Sequence, residues 1–571
     1  NFWIPEEINL SQDVKDYPNL SAPERRAYDK ILSFLVFLDS IQTANLPCIG
    51  EYVTANEVNL CLSIQTFQEC VHSQSYSYML DTICSPTQRD DILYQWKTDE
   101  HLLRRNTFIG DLYNEFQKKK DAFTLLKVMM ANYILEGVYF YSGFMFFYNL
   151  ARMGKMPGSA QEIRYINRDE NTHLWLFRNI LLELKEEEPE LYSLAWYLKE
   201  NQNFPVFSNT RVKYFPLGED KFAEMLVQLE AAKHFIFLEY FIVKEGYMWD
   251  RVLEILERKA REGVEVRFLY DGTCALYLLP YSYPKKLEAM GIQAKMYAPI
   301  RPFISTHYNN RDHRKILVID GRVAFTGGIN LADEYINRKV VYGHWKDTAV
   351  MLEGEAVQSF TLMFLQLWNV DGPKEDYSPY LKGGRPADVP GYVIPYGDTP
   401  TDHERVGEMV YMDMINRAER YVHIMTPYLI LDDQMINALQ YSAKRGVETV
   451  IIMPHIPDKK SAYLLARSYY EELLRAGVRI YEYTPGFVHA KVFTSDDEKA
   501  VVGTINLDFR SLYLHFECAA YFYKHPVVAE VETDFKRTLE KCREITIADC
   551  HSYPFIKRFA GKALRLAAPL M

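Results

Sequence analysis

The chain has 571 residues, 48% of them hydrophobic and 25% charged, and its formal net charge is −11. This length exceeds that of one ordinary domain, so we expect three or four. The acidic balance argues against nucleic acid as a partner, because nucleic-acid binding needs a basic face. The eight cysteines include no CxxC pair, which favours free thiols in a reducing cytosol over disulfides or a zinc site.

Residues 1–190 are predicted to be helical, since long stretches repeat apolar residues at helical spacing and contain few Gly or Pro. Two such stretches run from Ala27 to Ser63 and from Asp121 to Asn149. The most apolar part of this region is interrupted by Lys127 and Glu136, and ionisable groups are unfavourable inside a membrane span. We therefore predict a buried bundle helix there.

Six acidic and histidine side chains of this region have the spacing of a dimetal site. Two Glu-x-x-His pairs each place both ligands on one helix face, and two further carboxylates lie in other apolar helices. This is the ligand pattern of dimetal-carboxylate bundles, and a cation pair compensates carboxylates that would otherwise be buried at high cost. The predicted ligands are Asp39, Glu69, His72, Glu136, Glu170 and His173.

The sequence around these residues resembles that of the radical-generating small (beta) subunit of ribonucleotide reductase. The resemblance covers about residues 1–190 and rests on segments such as Leu38 to Gln42, Glu69 to Tyr76 and Arg168 to His173. It implies a ferritin-like bundle that binds two Fe (or Mn) ions. It also implies a radical-bearing tyrosine, an electron-transfer path and an apolar pocket around the radical. Tyr76 matches the radical-bearing tyrosine. Trp3, Asp169 and His72 match the electron-transfer path, and Phe140 matches the apolar pocket.

The family's later helices, and the flexible tail that docks its large subunit, have no counterpart in this chain. The resemblance therefore implies metal loading and a homodimer through the helical module. Without these parts we do not expect the module to bind a large reductase subunit, and we do not expect ribonucleotide reduction as the main activity.

After about Pro189, short β-rich runs alternate with helical stretches. The run His234 to Phe241 is followed by a helical stretch, Met248 to Glu262, and a strand, Val264 to Tyr270. This βαβ alternation predicts two α/β repeats, with mixed, mainly parallel sheets packed face to face. The predicted domains are 1–190, 191–385 and 386–571, with a Pro- and Gly-rich connection at 372–402.

An HxKxxxxD motif occurs in both predicted repeats, the second copy 176 residues after the first. Side chains two apart on a strand face the same way, so each His and Lys would face one cleft together. A Gly and an Asn follow each motif at matched spacing and suit a turn that phosphate can approach. The residues are His313, Lys315, Asp320 and Asn330 in the first copy, and His489, Lys491, Asp496 and Asn506 in the second.

Two such motifs supply what attack on a phosphodiester requires. One histidine would be the nucleophile and the other the acid for the departing alkoxide, while the lysines and asparagines would stabilise the phosphate oxygens. One copy alone is half a site, so the duplication itself supports this chemistry. The two aspartates are expected to hold the motif loops rather than transfer protons.

The double motif resembles the phospholipase D superfamily, and the flanking segments are similar to bacterial cardiolipin synthases. The similarity runs from about Leu191 to Met571 and includes Tyr214 to Phe222, Asn309 to Lys315 and His344 to Asp347. It implies that two phosphatidylglycerols yield cardiolipin and glycerol, with no metal required.

Individual roles follow from this resemblance. His313 would be the nucleophile that forms a phosphatidyl-histidine, and His489 would protonate glycerol and then deprotonate the incoming one. Glu517 matches the acidic residue that orients a catalytic histidine. His515 stands where the family usually has Asn.

The C-terminal run from Phe555 to Leu566 is basic and amphipathic. Such a run suits an anionic membrane surface, or alternatively a docked surface helix. We expect a cytoplasmic protein that is peripheral on the inner face of the cell membrane and uses phosphatidylglycerol.

Two other functions stay open at this stage. The chain could act as a ribonucleoside-diphosphate reductase beta subunit carrying a silent transferase. It could also be a phospholipase D-type hydrolase or nuclease. The acidic net charge and the similarity of the flanking segments to cardiolipin synthases argue against a nuclease.

Overall fold

The computed structural model describes residues 3–186, 189–300, 309–370, 372, 374–402 and 404–570. The chain divides into two compact units, Asn1–Pro189 and Glu190–Met571. Both predicted repeats fall in the second unit, and the predicted domain limits stay predictions.

The first unit is helical, as predicted. A π-helical segment, Leu135–Phe140, joins its sixth and seventh helices. The helices are α1 (Ser11–Asp16), α2 (Ala22–Tyr52), α3 (Asn56–Ile83), α4 (Pro86–Tyr94), α5 (Glu100–Lys119), α6 (Ala122–Ile134), α7 (Tyr141–Arg152) and α8 (Pro157–Glu186).

Helix α2 begins at a capping residue and lies in the apolar core of the first unit. Ser21 caps α2 in a reciprocal box with Glu24, which satisfies backbone N–H groups that a helix start leaves free. By length and apolar composition, α2 is the one helix among the described residues that could cross a membrane. Its buried side chains include Asp39 and Gln42, however, which suits a core helix of a bundle.

The second unit alternates strands and helices. Its helices are α9 (Pro189–Trp196), α10 (Gly218–Glu230), α11 (Tyr247–Arg261), α12 (Cys274–Tyr277), α13 (Tyr283–Glu288), α14 (Val357–Trp368), α15 (Val406–Arg417), α16 (Asp433–Lys444), α17 (Lys460–Arg475), α18 (Phe509–Tyr513), α19 (Val527–Leu539), α20 (Ile547–Ser552) and α21 (Phe555–Leu564). Its strands are β1 (Arg211–Phe215), β2 (Phe235–Tyr240), β3 (Glu265–Asp271), β4 (Gln293–Tyr297), β5 (Arg311–Asp312), β6 (Ile316–Ile319), β7 (Val323–Gly327), β8 (His344–Lys346), β9 (Ala349–Glu353), β10 (Tyr392–Asp398), β11 (Tyr421–Met425), β12 (Glu448–Pro454), β13 (Arg479–Tyr483), β14 (Gly486–Val488), β15 (Val492–Ser495), β16 (Lys499–Gly503), β17 (His515–Tyr523) and β18 (Cys542–Ile545).

The two sheets repeat one topology. The first has the order β1-β9-β7-β6-β2-β3-β4, and the second contains β10-β17-β16-β15-β11-β12-β13-β18. In each sheet, β2 or β11 pairs in parallel with the next strand and antiparallel with the motif strand. The internal repeat is therefore a structural repeat.

The sheets are mixed, as predicted, but the expectation of mainly parallel pairing is wrong. Along the two strand orders given above, parallel neighbours occur at β2-β3-β4 and β11-β12-β13, where helices cross over between strands. The motif strand instead returns through a tight turn into an antiparallel hairpin, β6-β7 or β15-β16, and further strands add antiparallel. The βαβ pattern predicts the parallel half of each sheet. The other half is antiparallel because short turns, rather than helices, connect its strands.

Apolar residues from both sheets form one shared core. It contains Phe237 and Val318 of the first sheet, Val502 and Phe522 of the second, and the buried helix α14. The sheets therefore pack face to face, as predicted. Two short parallel pairs, β5 with β17 and β8 with β14, also join the repeats beside the two motifs.

Candidate functional site

Each motif histidine is tied by its backbone to the opposite repeat. His313 follows β5, and its N–H donates to the carbonyl oxygen of Phe516 at 2.9 Å. His489 follows β14, and its N–H donates to the carbonyl oxygen of Lys346 at 2.7 Å. These matched contacts bring both motifs to the seam between the sheets.

A carboxylate from the opposite repeat holds each imidazole. His313 Nδ1 lies 2.8 Å from Glu517 Oε1, and His489 Nδ1 lies 2.7 Å from Asp347 Oδ2. A carboxylate that accepts from Nδ1–H leaves the lone pair on Nε2, as nucleophilic or general-base catalysis requires. Burial lowers the pKa of His313 well below its usual range, so this imidazole is neutral at pH 7.

The second imidazole is also neutral in the free protein. Burial, helped by the Lys491 ammonium 2.9 Å from Nδ1, lowers the pKa of His489 to about 4. The negative charge of a bound phosphodiester acts in the opposite direction and favours the protonated form.

The two motif lysines are buried and share one crevice. Lys315 Nζ donates to the carbonyl oxygen of His313 at 2.5 Å, and Lys491 Nζ donates to that of His489. Burial lowers the pKa of Lys315 to about 7 and that of Lys491 to about 8. Each lysine also interacts electrostatically with the carboxylate that orients the other motif's histidine, so the two half-sites face a common space.

The motif aspartates lie at the far ends of the motif strands from the histidines. Asp320 accepts from the backbone N–H groups of residues 233–235 at 2.7–2.9 Å. Asp496 accepts from those of residues 419–421 at 2.8–3.0 Å. Both carboxylates therefore anchor the segment that leads into β2 or β11.

The asparagines lie where the strands leave the motif hairpins. Asn330 Oδ1 accepts from Ile242 N–H at 3.0 Å, and its Nδ2 donates to the Tyr335 hydroxyl at 2.8 Å. Asn506 Nδ2 donates to Ser511 Oγ at 3.1 Å. These bonds fix both amides, and their contact with phosphate oxygens stays a prediction.

Asp347 is a site residue that the sequence reasoning did not assign. Its segment, His344 to Asp347, is similar to the family, but no local pattern marks this carboxylate as functional. The internal repeat contained the signal, since Asp347 precedes Glu517 by 170 residues, close to the motif offset of 176.

We expect Asp347→Asn to lower phosphatidyl transfer by about 10²- to 10⁴-fold, because an amide no longer fixes the His489 tautomer or stabilises its protonated form. Rates of product formation from phosphatidylglycerol measure this. Asp388→Asn, in the connection between the repeats, is the matched control and should keep the wild-type rate. An Asp347→Asn rate within threefold of wild type would contradict the assignment.

The first unit holds the second candidate site, which is built on four helical segments. His173 Nδ1 lies 2.7 Å from Glu170 Oε2 and 3.3 Å from Glu69 Oε1, while His72 Nδ1 lies 3.2 Å from Glu170 Oε1. Glu136 comes from the π-helical segment and accepts from Gln42 Nε2 at 3.0 Å. The donor atoms of the predicted ligands fall into two groups, Glu69, Glu136, Glu170 and His173, and Asp39, Glu69 and His72.

These residues fit a pair of cations. Both oxygens of Asp39, both nitrogens of His72 and one oxygen of Glu136 are buried with no hydrogen-bond partner among the described residues. Burial and repulsion from neighbouring carboxylates raise the pKa of Asp39 and Glu136 well above the usual range. Buried carboxylates that repel one another are stabilised when divalent cations bind between them, so this site suits a pair of such ions.

The residues expected on the electron path are also adjacent. Trp3 Nε1 donates to Asp169 Oδ2 at 2.8 Å, and the same oxygen lies 3.5 Å from His72 Nε2. Tyr76 is fully buried on α3 and interacts with Asp39. Phe140 is buried in the same helical core.

Comparisons with known proteins divide the chain at the same place. A family model described as "Ribonucleotide reductase, small chain" matches residues 1–195. A second, described as "Cardiolipin synthase, PLD-like domain", matches residues 225–368 and 411–539.

Individual relatives agree with these matches. The ribonucleoside-diphosphate reductase subunit beta of Treponema pallidum is 77% identical over 193 residues, 34% of this chain and 55% of the relative, so this chain spans about half of that protein. A cardiolipin synthase of Alkalihalophilus pseudofirmus is 37% identical over 390 residues, 67% of this chain and 76% of the relative. The crystal structure of a phosphatidylserine synthase from Haemophilus influenzae shares the fold at 13% identity with a TM-score of 0.54, covering 66% of this chain and all of that one.

Proposed function

Since the chain belongs to the cardiolipin synthase family of phospholipase D-like phosphatidyltransferases and carries a reductase small-chain segment in front, we propose that it converts two phosphatidylglycerols to cardiolipin and glycerol. The cross-repeat pairing of His313 with Glu517 and His489 with Asp347 is the observation that supports this most strongly. Incubating the purified full chain with phosphatidylglycerol and analysing the lipid products tests it.

In the first step His313 Nε2 attacks the phosphorus of one phosphatidylglycerol. The bond from phosphorus to the headgroup glycerol oxygen breaks, and that oxygen takes a proton from His489 Nε2. Free glycerol leaves, and the phosphatidyl group remains on His313. Glu517, whose pKa is held below its usual range although burial opposes this, stays ionised and compensates the positive charge on the substituted imidazole.

In the second step a headgroup hydroxyl of another phosphatidylglycerol gives its proton to His489. Its oxygen attacks phosphorus, the P–N bond breaks, and cardiolipin is released with His313 regenerated. Lys315 and Lys491 face the equatorial oxygens in both steps, which supplies the positive charge that phosphoryl transfer needs.

A cavity of about 860 Å³ lies in the second unit, and we propose it for the apolar part of a lipid substrate. Its wall includes apolar Met296, Trp368 and Phe516, together with Arg314. Its size lies within the ordinary range for ligand pockets, ~300–1,000 Å³.

Helix α21 offers a surface for an anionic membrane. On its docked side Arg558 lies 3.7 Å from Glu471 of α17, Gly561 packs on the α17 backbone and Leu564 packs against the core. Its apolar side points outward, with Phe555 77% and Phe559 67% exposed. Exposed aromatic side chains on a basic helix suit the interface of an anionic bilayer, so we propose that this face inserts into the interfacial region.

We expect Phe559→Glu to weaken binding of the full chain to phosphatidylglycerol vesicles at least about tenfold, since burying one aromatic side chain contributes ~1.5–3 kcal/mol. Vesicle co-sedimentation measures this. Val227→Glu, at an exposed apolar position of α10, is the matched control and should bind as wild type does. If both variants bind like wild type, α21 is not the membrane contact.

For the first unit we propose that the six predicted ligands hold two Fe or Mn ions. When bound, these ions would supply one-electron redox chemistry. Asp169 would orient His72 and link it to Trp3, and the buried hydroxyl of Tyr76 would exchange a proton with Asp39.

Activity as a reductase beta subunit is the second candidate function. The Trp3, Asp169 and His72 contacts favour it, and a tyrosyl radical signal lost in Tyr76→Phe would test it.

A further inference from the structure

His515 is a buried imidazole that the proposed transfer reaction does not use. It is 8% exposed, and neither ring nitrogen has a hydrogen-bond partner among the described residues. Its ring centre lies 5.6 Å from that of His313, and its Nδ1 lies 3.8 Å from Glu517 Oε1. A buried polar group left without a partner costs about 1–3 kcal/mol, which points to a ligand at this position.

The repeat symmetry shows that the fold does not require an imidazole here. Trp345 holds the equivalent position in the first repeat, with its ring centre 5.4 Å from that of His489. An aromatic side chain without an acid–base role therefore satisfies the packing beside one motif histidine, although Trp345 Nε1 is also buried without a hydrogen-bond partner among the described residues. An indole N–H can only donate, whereas a neutral imidazole at the His515 position also offers a lone pair that can bind a cation.

The donor atoms around His515 match the needs of a transition-metal ion. His313, His515 and Glu517 each offer one ligand atom, and these atoms lie within 4.8 Å of one another. Two imidazole nitrogens and one carboxylate oxygen, with a fourth position open, form a common ligand set for Zn²⁺.

The cluster supplies one charged oxygen ligand for a cation. The Glu517 carboxylate is fully buried and faces both imidazoles, and its negative charge offsets the nearby Lys315 ammonium. The motif lysines remain the groups that face phosphate.

We propose that His313, His515 and Glu517 bind one Zn²⁺ and that this ion inhibits phosphatidyl transfer. Inhibition follows because coordination occupies the imidazole that must attack phosphorus and the carboxylate that orients it. The inhibitory half rests on the proposed function, whereas ion binding does not.

Equilibrium dialysis of the full chain against Zn²⁺ tests binding. The first unit has its own metal ligands, so the informative quantity is the difference between variants. We expect wild type to bind one more Zn²⁺ per chain than His515→Asn, which removes the second imidazole. His551→Asn, at a half-exposed histidine on α20, is the matched control and should bind as wild type does. His515→Gln replaces His515→Asn if that variant does not reach the wild-type thermal midpoint.

Substituting Co²⁺ for Zn²⁺ gives a second readout that reports coordination itself. Wild type should show the visible bands of four-coordinate Co²⁺ in excess of those of His515→Asn. Equal stoichiometry and equal Co²⁺ spectra in the two proteins would overturn the site.

Zinc titration of the transfer reaction tests inhibition, with each variant compared with its own zinc-free rate. The concentration for half inhibition should be at least about tenfold higher for His515→Asn than for wild type, since losing one ligand weakens a metal site by at least the 10- to 100-fold seen for its outer partners. EDTA should restore the wild-type rate. Zinc binding without inhibition would overturn the inhibitory half. No transfer in zinc-free protein would instead overturn the proposed function, and dialysis would still decide the metal site.

Discussion

Replacing His313 with alanine should reduce cardiolipin formation by about 10⁴-fold or more, since the residue supplies the attacking atom. Its imidazole is held by Glu517, its backbone N–H donates to the opposite repeat, and Lys315 donates to its carbonyl oxygen. Alanine removes the nucleophile and leaves these partners in place. Initial rates with phosphatidylglycerol vesicles measure the effect.

The matching controls separate chemistry from folding. His551→Ala removes a half-exposed histidine far along the chain from both motifs and should keep the wild-type rate. His489→Ala should also lose turnover, because the departing glycerol then lacks its acid. Equal product from His313→Ala and wild type would refute the proposed mechanism.

The second large effect is expected in the first unit. Glu170→Ala should lower the bound Fe or Mn from about two ions per chain to nearly none, because this carboxylate faces both histidines of the cluster. Elemental analysis of purified protein measures metal content. The apo protein should also unfold at a lower temperature, since ions that bind only the folded state stabilise it.

A surface substitution provides the control. Glu51→Ala, which removes an exposed carboxylate of α2, should leave metal content and thermal stability unchanged. If Glu170→Ala retains the metal content of wild type, the six residues are not the ligands. Tyr76→Phe should keep the metal and lose any tyrosyl radical signal.

The HxKxxxxD pattern, which appears twice with matched spacing, predicted that the two histidines and two lysines lie together, and the structure brings both motifs to the seam between the sheets. The sequence also predicted the helical unit, where helical periodicity and two Glu-x-x-His pairs coincide. What it could not predict depends on contacts between distant segments. Asp347 becomes the partner of His489 only when β8 pairs with β14, and neither short strand has a strong local signal.

Other differences have similar causes. The βαβ alternation suggested mainly parallel sheets, whereas the β6-β7 and β15-β16 hairpins make most pairings antiparallel. Glu136 comes from a π-helical segment, a local departure from α-helical spacing that periodicity does not reveal. His515 appeared in the sequence only as a departure from the family, and its position beside His313 and Glu517 required the fold.

The most direct test is to trap the covalent intermediate. His489→Asn, incubated with labelled phosphatidylglycerol and stopped in alkali, should retain a phosphatidyl group on the peptide that contains His313, and His313→Asn should retain none. Cardiolipin formation by wild type, with no adduct on His313 in any protein at any time, would contradict a phosphatidyl-histidine intermediate at this residue.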